Sequence, residues 1–282
     1  MNIRAASTEF LQRTSGEGRL RVRASGDSTR LADLYQQDAA KIRLPRLPGA
    51  THAEAIIINT AGGLTGGDDL RWTMQADASA RLTVTTQACE KVYRSGGGAA
   101  SVAATLKVEA GAHVAWLPQE IILFDTSNLQ RRLHADIAAD ASLLACEAVI
   151  FGRGARGEQV TRGRFRDHWE IRCEKAPVHR EDVRIEGPVA SQLDQPAIGA
   201  GLTAFATVLL VAKNAPDKLA RVRALLDAQD DTRAAASALP AGPTGKLLAR
   251  IAARDGYALR KTLVPLLALL NSEAGMPRIW ST

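Results

Sequence analysis

Residues 59–95 read NTAGGLTGGDDLRWTMQADASARLTVTTQACEKVYRS. Two glycine pairs, Gly62-Gly63 and Gly66-Gly67, run directly into Asp68 and Asp69. Glycine permits positive φ and close backbone approach, so the pairs read as a tight double turn. Beyond them apolar and polar residues alternate, as on a strand with one buried face. Asp68 opens that strand, where a carboxylate either accepts backbone hydrogen bonds or faces a cavity. The stretch closes on Lys91-Val92-Tyr93-Arg94. A glycine cluster ending in acids also resembles a nucleotide loop, and the choice between the two readings decides the function.

The flanking sequence favours strands. Leu82 to Thr86 is β-branched, and Ser101 to Val108 alternates small and apolar residues. His113 to Leu117 and Glu120 to Phe124 are short runs on either side of Pro118, which cannot donate to a ladder. Ser142 to Phe151 is a longer run. Phe165, Trp169, Ile171 and Cys173 keep period two from Arg164 to Glu174. Turn signals separate these runs: Gly96-Gly97-Gly98, Ala110-Gly111, Thr126-Ser127-Asn128 and Gly152 to Gly157. Many short strands at close spacing predict an all-β stack, sandwich or solenoid.

After a loose segment, Gly187 to Gly201, the pattern changes. An apolar strand over Leu202 to Ala212 precedes a helix capped by Asp217, with Leu219, Val222, Leu225 and Leu226 on one face. Leu239 to Gly245 reads as a loop and Lys246 to Ala253 as a strand. A last helix carries Leu259, Leu263, Leu266, Leu267 and Leu270. The predicted fold is mainly β, with a small C-terminal α/β portion. Residues 1–186 form the β-rich part, and 187–282 pack on the same core as one continuous domain.

Composition bounds the function. Of 282 residues 46% are hydrophobic and 23% charged, which is ordinary for a folded chain and excludes disorder. Only 4% are aromatic, so Ala, Val, Leu and Ile must build the core. Cys89, Cys146 and Cys173 are an odd, scattered set, which argues against a disulfide framework or a zinc site of paired cysteines. No apolar run marks a signal peptide or a membrane span, so a cytoplasmic location is expected. The net charge of +6 is spread along the chain; Arg19, Arg21, Arg23 and Arg162, Arg164, Arg166 alternate like solvated strand faces. That pattern speaks for an acidic protein partner rather than for nucleic acid.

Two nucleotide motifs fail on inspection. Gly152 to Gly157 fits G-x-G-x-x-G after a strand, but the residues that follow are strand-like, and the fingerprint requires a helix there. Gly242-Pro243-Thr244-Gly245-Lys246 resembles the end of a P-loop, yet Pro240 and Leu247 stand where a glycine and a hydroxyl are needed. His52, His113, His134, His168 and His179 lack metal-binding spacing, and no G-x-S-x-G elbow marks a nucleophile.

Taken in order, the short motifs resemble one family. Ala61 to Asp68, Thr85-Thr86-Gln87-Ala88 and Lys91-Val92-Tyr93-Arg94-Ser95 are similar to the signature of the urease accessory proteins UreD (UreH in some organisms). The likeness continues through Trp116-Leu117-Pro118-Gln119-Glu120, Leu123-Phe124-Asp125, Leu143-Leu144 and Phe151-Gly152-Arg153. It ends at Pro277-Arg278-Ile279-Trp280. The resemblance implies a helicoid β scaffold without enzymatic activity. Such a protein binds UreF, which recruits the GTPase UreG, and the higher-order assembly docks on apo-urease to deliver nickel. The resemblance further implies an internal tunnel with nickel in transit and no tightly bound cofactor. By position its polar lining comprises Asp68, Glu90, Glu147 and Glu181. Scattered carboxylates suit a conduit, because nickel ranks high in the Irving–Williams order and a His/Cys cluster would trap it. The competing functions are an enzyme that holds a phosphorylated ligand in the glycine-rich loop and a basic nucleic-acid-binding β protein.

Overall fold

The computed structural model describes residues 13–153, 157–272 and 274–281. Period-two alternation becomes strand, in the first sheet mostly with one face buried and the other solvated. Ser15–Ser25 (β1) is typical: Leu20 and Val22 point inward while Arg19, Arg21 and Arg23 face water. Among the described residues a seven-stranded sheet is built from β1, Ser28–Asp38 (β2), Asp69–Ala76 (β5), Ala100–Val108 (β8), Asn128–Ile137 (β11), Gly163–Cys173 (β13) and Ala176–Gly187 (β14). Its order is β14-β13-β11-β8-β5-β1-β2.

A second sheet faces it. It contains Ala40–Arg43 (β3), Ala53–Asn59 (β4), Arg81–Thr86 (β6), His113–Leu117 (β9), Ser142–Phe151 (β12), Ala204–Val211 (β15), Thr232–Ala241 (β16) and Thr244–Ala253 (β17). Two short strands, Glu90–Val92 (β7) and Ile121–Leu123 (β10), join along β12. The central strands of both sheets are parallel: β1, β5, β8, β11 and β13 in the first, β4, β6, β9 and β12 in the second. Parallel neighbours cannot be joined by a tight turn. The chain therefore leaves one sheet, crosses to the other and returns a layer further on. Asp69 pairs Ser101, and Ser101 pairs Gln130. Each step is about thirty residues, a solenoid-sized repeat. The expectation of stacked β coils holds, and uneven coil lengths explain why no repeat is readable in the sequence.

Inward positions stack in register through the first sheet. Trp72, Ala104, Leu133 and Trp169 form one such row, and Met74, Leu106, Ala135 and Ile171 the next. Both rows lie in the core between the sheets, where large and small side chains alternate to fill the layer. A second core lies on the other side of the second sheet, against the helices Leu219–Asp227 (α2) and Gly256–Leu270 (α3). β12 lies between these two cores and is buried on both faces.

The C-terminal part departs in detail from the sequence reading. Asp217 does not cap α2; it lies in a short 3-10 turn, Pro216–Lys218, and no side chain caps the helix. Leu239 to Gly245 is not a loop. It is the end of a hairpin in which Ala241 pairs Thr244 across Gly242-Pro243, so β16 was missed. The alanine-rich stretch of β16 hides its period, and Pro240 is tolerated because the strand is an edge. Lys246 donates from Nζ to the Val178 carbonyl at 2.6 Å, a structural contact rather than a phosphate cradle. Gly152-Arg153 is followed by β13 rather than a helix; Gly154, Ala155 and Arg156 of that motif lie outside the described residues. Helix α3 is capped by Asp255, which accepts from the Ala258 amide at 2.8 Å. It runs through Pro265, which is exposed along with Lys261 one turn earlier, so the carbonyl that loses its donor can meet water. Among the described residues no helix is long and apolar enough to cross a membrane.

Trp169 is fully buried at the centre of the stacked rows. Trp169→Ala should lower the unfolding free energy by about 3–5 kcal/mol, read as a fall in the urea midpoint. A loss below about 1 kcal/mol would contradict the placement of this row at the core.

Candidate functional site

The glycine-rich loop between β4 and β5 is packed against other backbone. Gly63 has φ +149°, and a Cβ there would stand 2.4 Å from the Tyr93 ring. A Cβ on Gly66 would meet Ser95 Oγ at 2.1 Å and the Gly97 carbonyl at 2.4 Å. These glycines exist so that two chain segments can touch, and the space a phosphate would need is filled. Asp68 takes the first of its two possible roles. Its Oδ1 accepts from the Thr14 amide at 2.8 Å and its Oδ2 from the Thr65 amide at 2.7 Å, which ties the loop to the chain before β1.

Two cavities lie between the sheets. One, of about 280 Å³, is lined by Asn59, Cys89, Glu90, Trp116, Arg131 and Glu147 among others, and opens beside the exposed Gln87, Ala88 and Lys91. The other, of about 580 Å³, is lined by Arg131, Glu147, Phe165, Asp167, Thr207 and Arg250 among others, and opens beside the exposed Ile198 and Arg233. Arg131 and Glu147 belong to both linings.

At that junction sits a buried ionic cluster. Arg131 donates to Asp167 twice, Nε to Oδ1 at 3.1 Å and Nη2 to Oδ2 at 2.7 Å. Its Nη1 lies 2.6 Å from Glu147 Oε2 but makes no aligned hydrogen bond. Trp116 holds the other Glu147 oxygen, donating from Nε1 to Oε1 at 2.8 Å. One guanidinium faces two carboxylates, so with both ionised the cluster has one negative charge in excess. Burial pushes the Glu147 carboxyl up, against the pull of Arg131. Burial also opposes the charge of Arg131, yet Asp167 and Glu147 keep the guanidinium firmly protonated.

Of the remaining acids, Glu90 stands near the opening of the smaller cavity and Glu181 lies behind the wall of the larger one. Glu90 is half-buried; it accepts from Asn59 Nδ2 at 3.3 Å, and burial pushes its carboxyl up to about 7. Glu181 on β14 accepts from Thr207 Oγ1 at 3.2 Å and Arg250 Nη2 at 3.0 Å, with His179 Nε2 3.5 Å away. Burial opposes its ionisation, but His179 and Arg250 outweigh that and lower its pKa. The structure thus brings Glu90 and Glu147 into one cavity and sets Glu181 behind two residues of the other. Asp68 lines neither. Among the described residues no three His, Cys, Asp or Glu side chains converge into a chelating group.

The other motif residues build walls. Tyr93 covers Gly63 and packs edge-on against Phe124 with centroids 4.9 Å apart, while the Arg94 carbonyl accepts from Thr65 Oγ1 at 2.8 Å. Pro118 lines the smaller cavity. Glu120 accepts from Arg260 Nε at 2.9 Å and Gln119 Oε1 from Arg260 Nη2 at 2.8 Å, which fastens β10 to α3. Arg260 lies over Trp280, whose Nε1 donates to Thr85 Oγ1 at 3.0 Å. Cys89 Sγ sits 3.2 Å from Glu120 Oε2, and burial together with Glu120 pushes the thiol up to about 12. Cys146 and Cys173 are core residues. Sequence reasoning passed over Arg131 and Asp167. The signal was present: Arg131 shares its strand face with Leu129 and Leu133, and Asp167 with Phe165 and Trp169, so each is a charge on an apolar stripe.

A family model described as UreD urease accessory protein matches residues 14–281. The chain is 46% identical over 279 residues to the urease accessory protein UreD of Sinorhizobium medicae, covering 99% of this chain and 100% of that protein. It is 45% identical over 271 residues to the urease accessory protein UreD of Brucella suis, covering 96% and 95%. The UreD of Agrobacterium fabrum is 44% identical over 270 residues, covering 96% and 92%.

Glu90 links burial to pH. Its folded pKa lies above the unfolded one, so the folded chain binds the extra proton and stability falls as pH rises from about 4.5 to about 7. Glu90→Gln removes that cost. It should be more stable than the parent by about 1–2 kcal/mol near pH 8 and indistinguishable below about pH 4. Urea unfolding at both pH values checks this, and an equal stability at the higher pH would contradict it.

Proposed function

The chain belongs to the UreD urease accessory protein family, and from that premise we propose that it is a non-enzymatic scaffold of urease maturation whose interior lets nickel pass. In this reading it binds UreF in the cytoplasm and, through UreF, the GTPase UreG. The higher-order assembly docks on apo-urease and supplies the metal to its dinuclear site. The observation that carries the proposal is the pair of cavities meeting at Glu147, with Glu90 in one and Glu181 behind the other.

The chemistry of the lining supports transit rather than storage. The oxygens on offer come from isolated carboxylates, the Asn59 amide and the Thr207 hydroxyl, spread along the space instead of gathered around one point. Nickel binds nitrogen and sulfur donors tightly and such oxygen sites weakly. Conduction needs several sites, each attractive enough to enter and weak enough to leave. Each station also has a protein partner when empty: Asn59 for Glu90, Arg131 and Trp116 for Glu147, Arg250 for Glu181. A buried carboxylate without one would be costly. Asp68 enters the proposal through the loop it ties, which sets the position of Gly62 at the rim of the smaller cavity.

The competing enzyme reading placed a phosphate in the glycine-rich loop. Ser95 and the Gly97 and Gly98 carbonyls occupy the space beside Gly66, and carbonyl oxygens repel an anion. For docking, the C-terminal part offers exposed apolar side chains in Ile198, Leu239 and Tyr257.

Glu147→Gln tests the passage. The variant should assemble with the accessory proteins and apo-urease as the parent does, judged by gel filtration. The urease matured with it should contain much less nickel by metal analysis. A full nickel complement in that urease would exclude Glu147 from the route.

A further inference from the structure

The two cavities share a lining carboxylate, Glu147, that is already occupied by a cation, the guanidinium of Arg131. We propose that Arg131 is the gate of this passage: a tethered cation that fills the site a divalent metal must use and yields it by releasing Glu147 alone. The inference rests on the passage reading above and deepens it, since Arg131 belongs to the lining of both cavities.

The geometry divides the guanidinium's contacts into a tether and a latch. The tether is on β13. Asp167 takes two aligned hydrogen bonds, and the guanidinium carbon lies 5.6 Å from the centroid of the Phe165 ring. Bidentate and cation–π contacts of this kind fix a guanidinium in position. The latch is the Nη1 contact with Glu147, which is close but unaligned. Glu147 is held independently from β9 by Trp116, and Thr207 stands opposite it on β15. Opening therefore leaves the Arg131–Asp167 pair intact and neutral. It frees one anchored carboxylate, with a hydroxyl beside it, for an incoming ion.

Charge sets what can open the latch. A doubly charged ion competes for Glu147 with twice the charge of the guanidinium, whereas a monovalent ion has no such advantage. Once the ion has moved on toward Thr207 and Glu181, the freed carboxylate draws the guanidinium back. The tether thus prevents the junction from becoming a trap, because the guanidinium stays beside the carboxylate and returns to it.

The test is a gain of binding that depends on Glu147, which a loosened fold would not produce. Nickel binding by the full-length chain is measured by equilibrium dialysis for the parent, Arg131→Met, and Arg131→Met combined with Asp167→Asn. The double variant removes the partner left unpaired in the single one and keeps the test valid if that single variant fails to fold. Without the competing guanidinium, nickel should bind with a dissociation constant lower by about tenfold or more. Adding Glu147→Gln should cancel the gain. In maturation assays the Arg131 variants should assemble normally but hold nickel and deliver less of it to urease. An affinity equal to or weaker than the parent's in the folded variants overturns the gate, as does a gain that survives Glu147→Gln. If Glu147→Gln alone impairs urease metallation while the Arg131 variants match the parent in affinity, the gate fails and the passage stands. Unimpaired metallation with Glu147→Gln overturns the passage and the gate with it.

Discussion

Parallel pairing is the constraint from which the rest of this molecule follows. Two adjacent parallel strands need a long connection, and here nearly every such connection is a strand of the opposite sheet. The chain therefore winds as stacked coils, and each layer contributes inward side chains from both sheets. Trp72, Leu133 and Trp169 fill the layer near the middle of their strands. Two residues earlier on each strand the inward row changes from Leu70 and Val102 to Arg131 and Asp167. A hydrophobic row that turns ionic partway along a stack creates a polar pocket inside a β sandwich, with apolar layers on either side.

Such a cluster does not stabilise the fold cheaply. Removing a guanidinium and two carboxylates from water costs several kcal/mol per ion, and mutual attraction recovers that only when the geometry is good. Arg131, Asp167 and Trp116 satisfy most of the donors and acceptors, yet one charge remains uncompensated. An apolar replacement of similar volume would pack at least as well. The cluster is thus expensive at the position where both cavities touch it, which is where an ionic function would place its cost. The glycine loop shows the same relation in backbone form: positive φ at Gly63 and contact at Gly66 bring the loop, β7 and the Ser95–Gly98 turn together beside the cavity mouth.

Most of the fold was legible because period two survives wherever one face is solvated. β8, β9, β12, β13 and β15 stand where alternation and turn residues put them. The losses have physical causes. β16 is alanine-rich, so its two faces differ too little in hydrophobicity to show a phase, and Gly242-Pro243 made a two-residue turn look like a long loop. Asp217 has the right type for a cap but the wrong backbone, because a 3-10 turn starts at Pro216. At the candidate site Glu90, Glu147 and Glu181 were named by resemblance. Their partners Arg131, Asp167 and Arg250 were not, since pairing across coils depends on register that no local window contains. Arg131 and Asp167 nonetheless carry a local sign, a charge in phase with apolar neighbours.

The motif residues most specific to the sequence turn out to contact walls and joints more than a cation. Trp116 orients Glu147; Gln119 and Glu120 grip Arg260; Arg260 in turn supports Trp280 at the chain's end. This series couples the smaller cavity to α3 and the C-terminal segment through direct contacts. Glu120 bears on both, since it also meets Cys89 in the cavity lining. Trp280, Arg260 and Glu120 thus form one series of contacts from the C-terminal segment through α3 to the turn that follows β9, the strand on which Trp116 anchors Glu147.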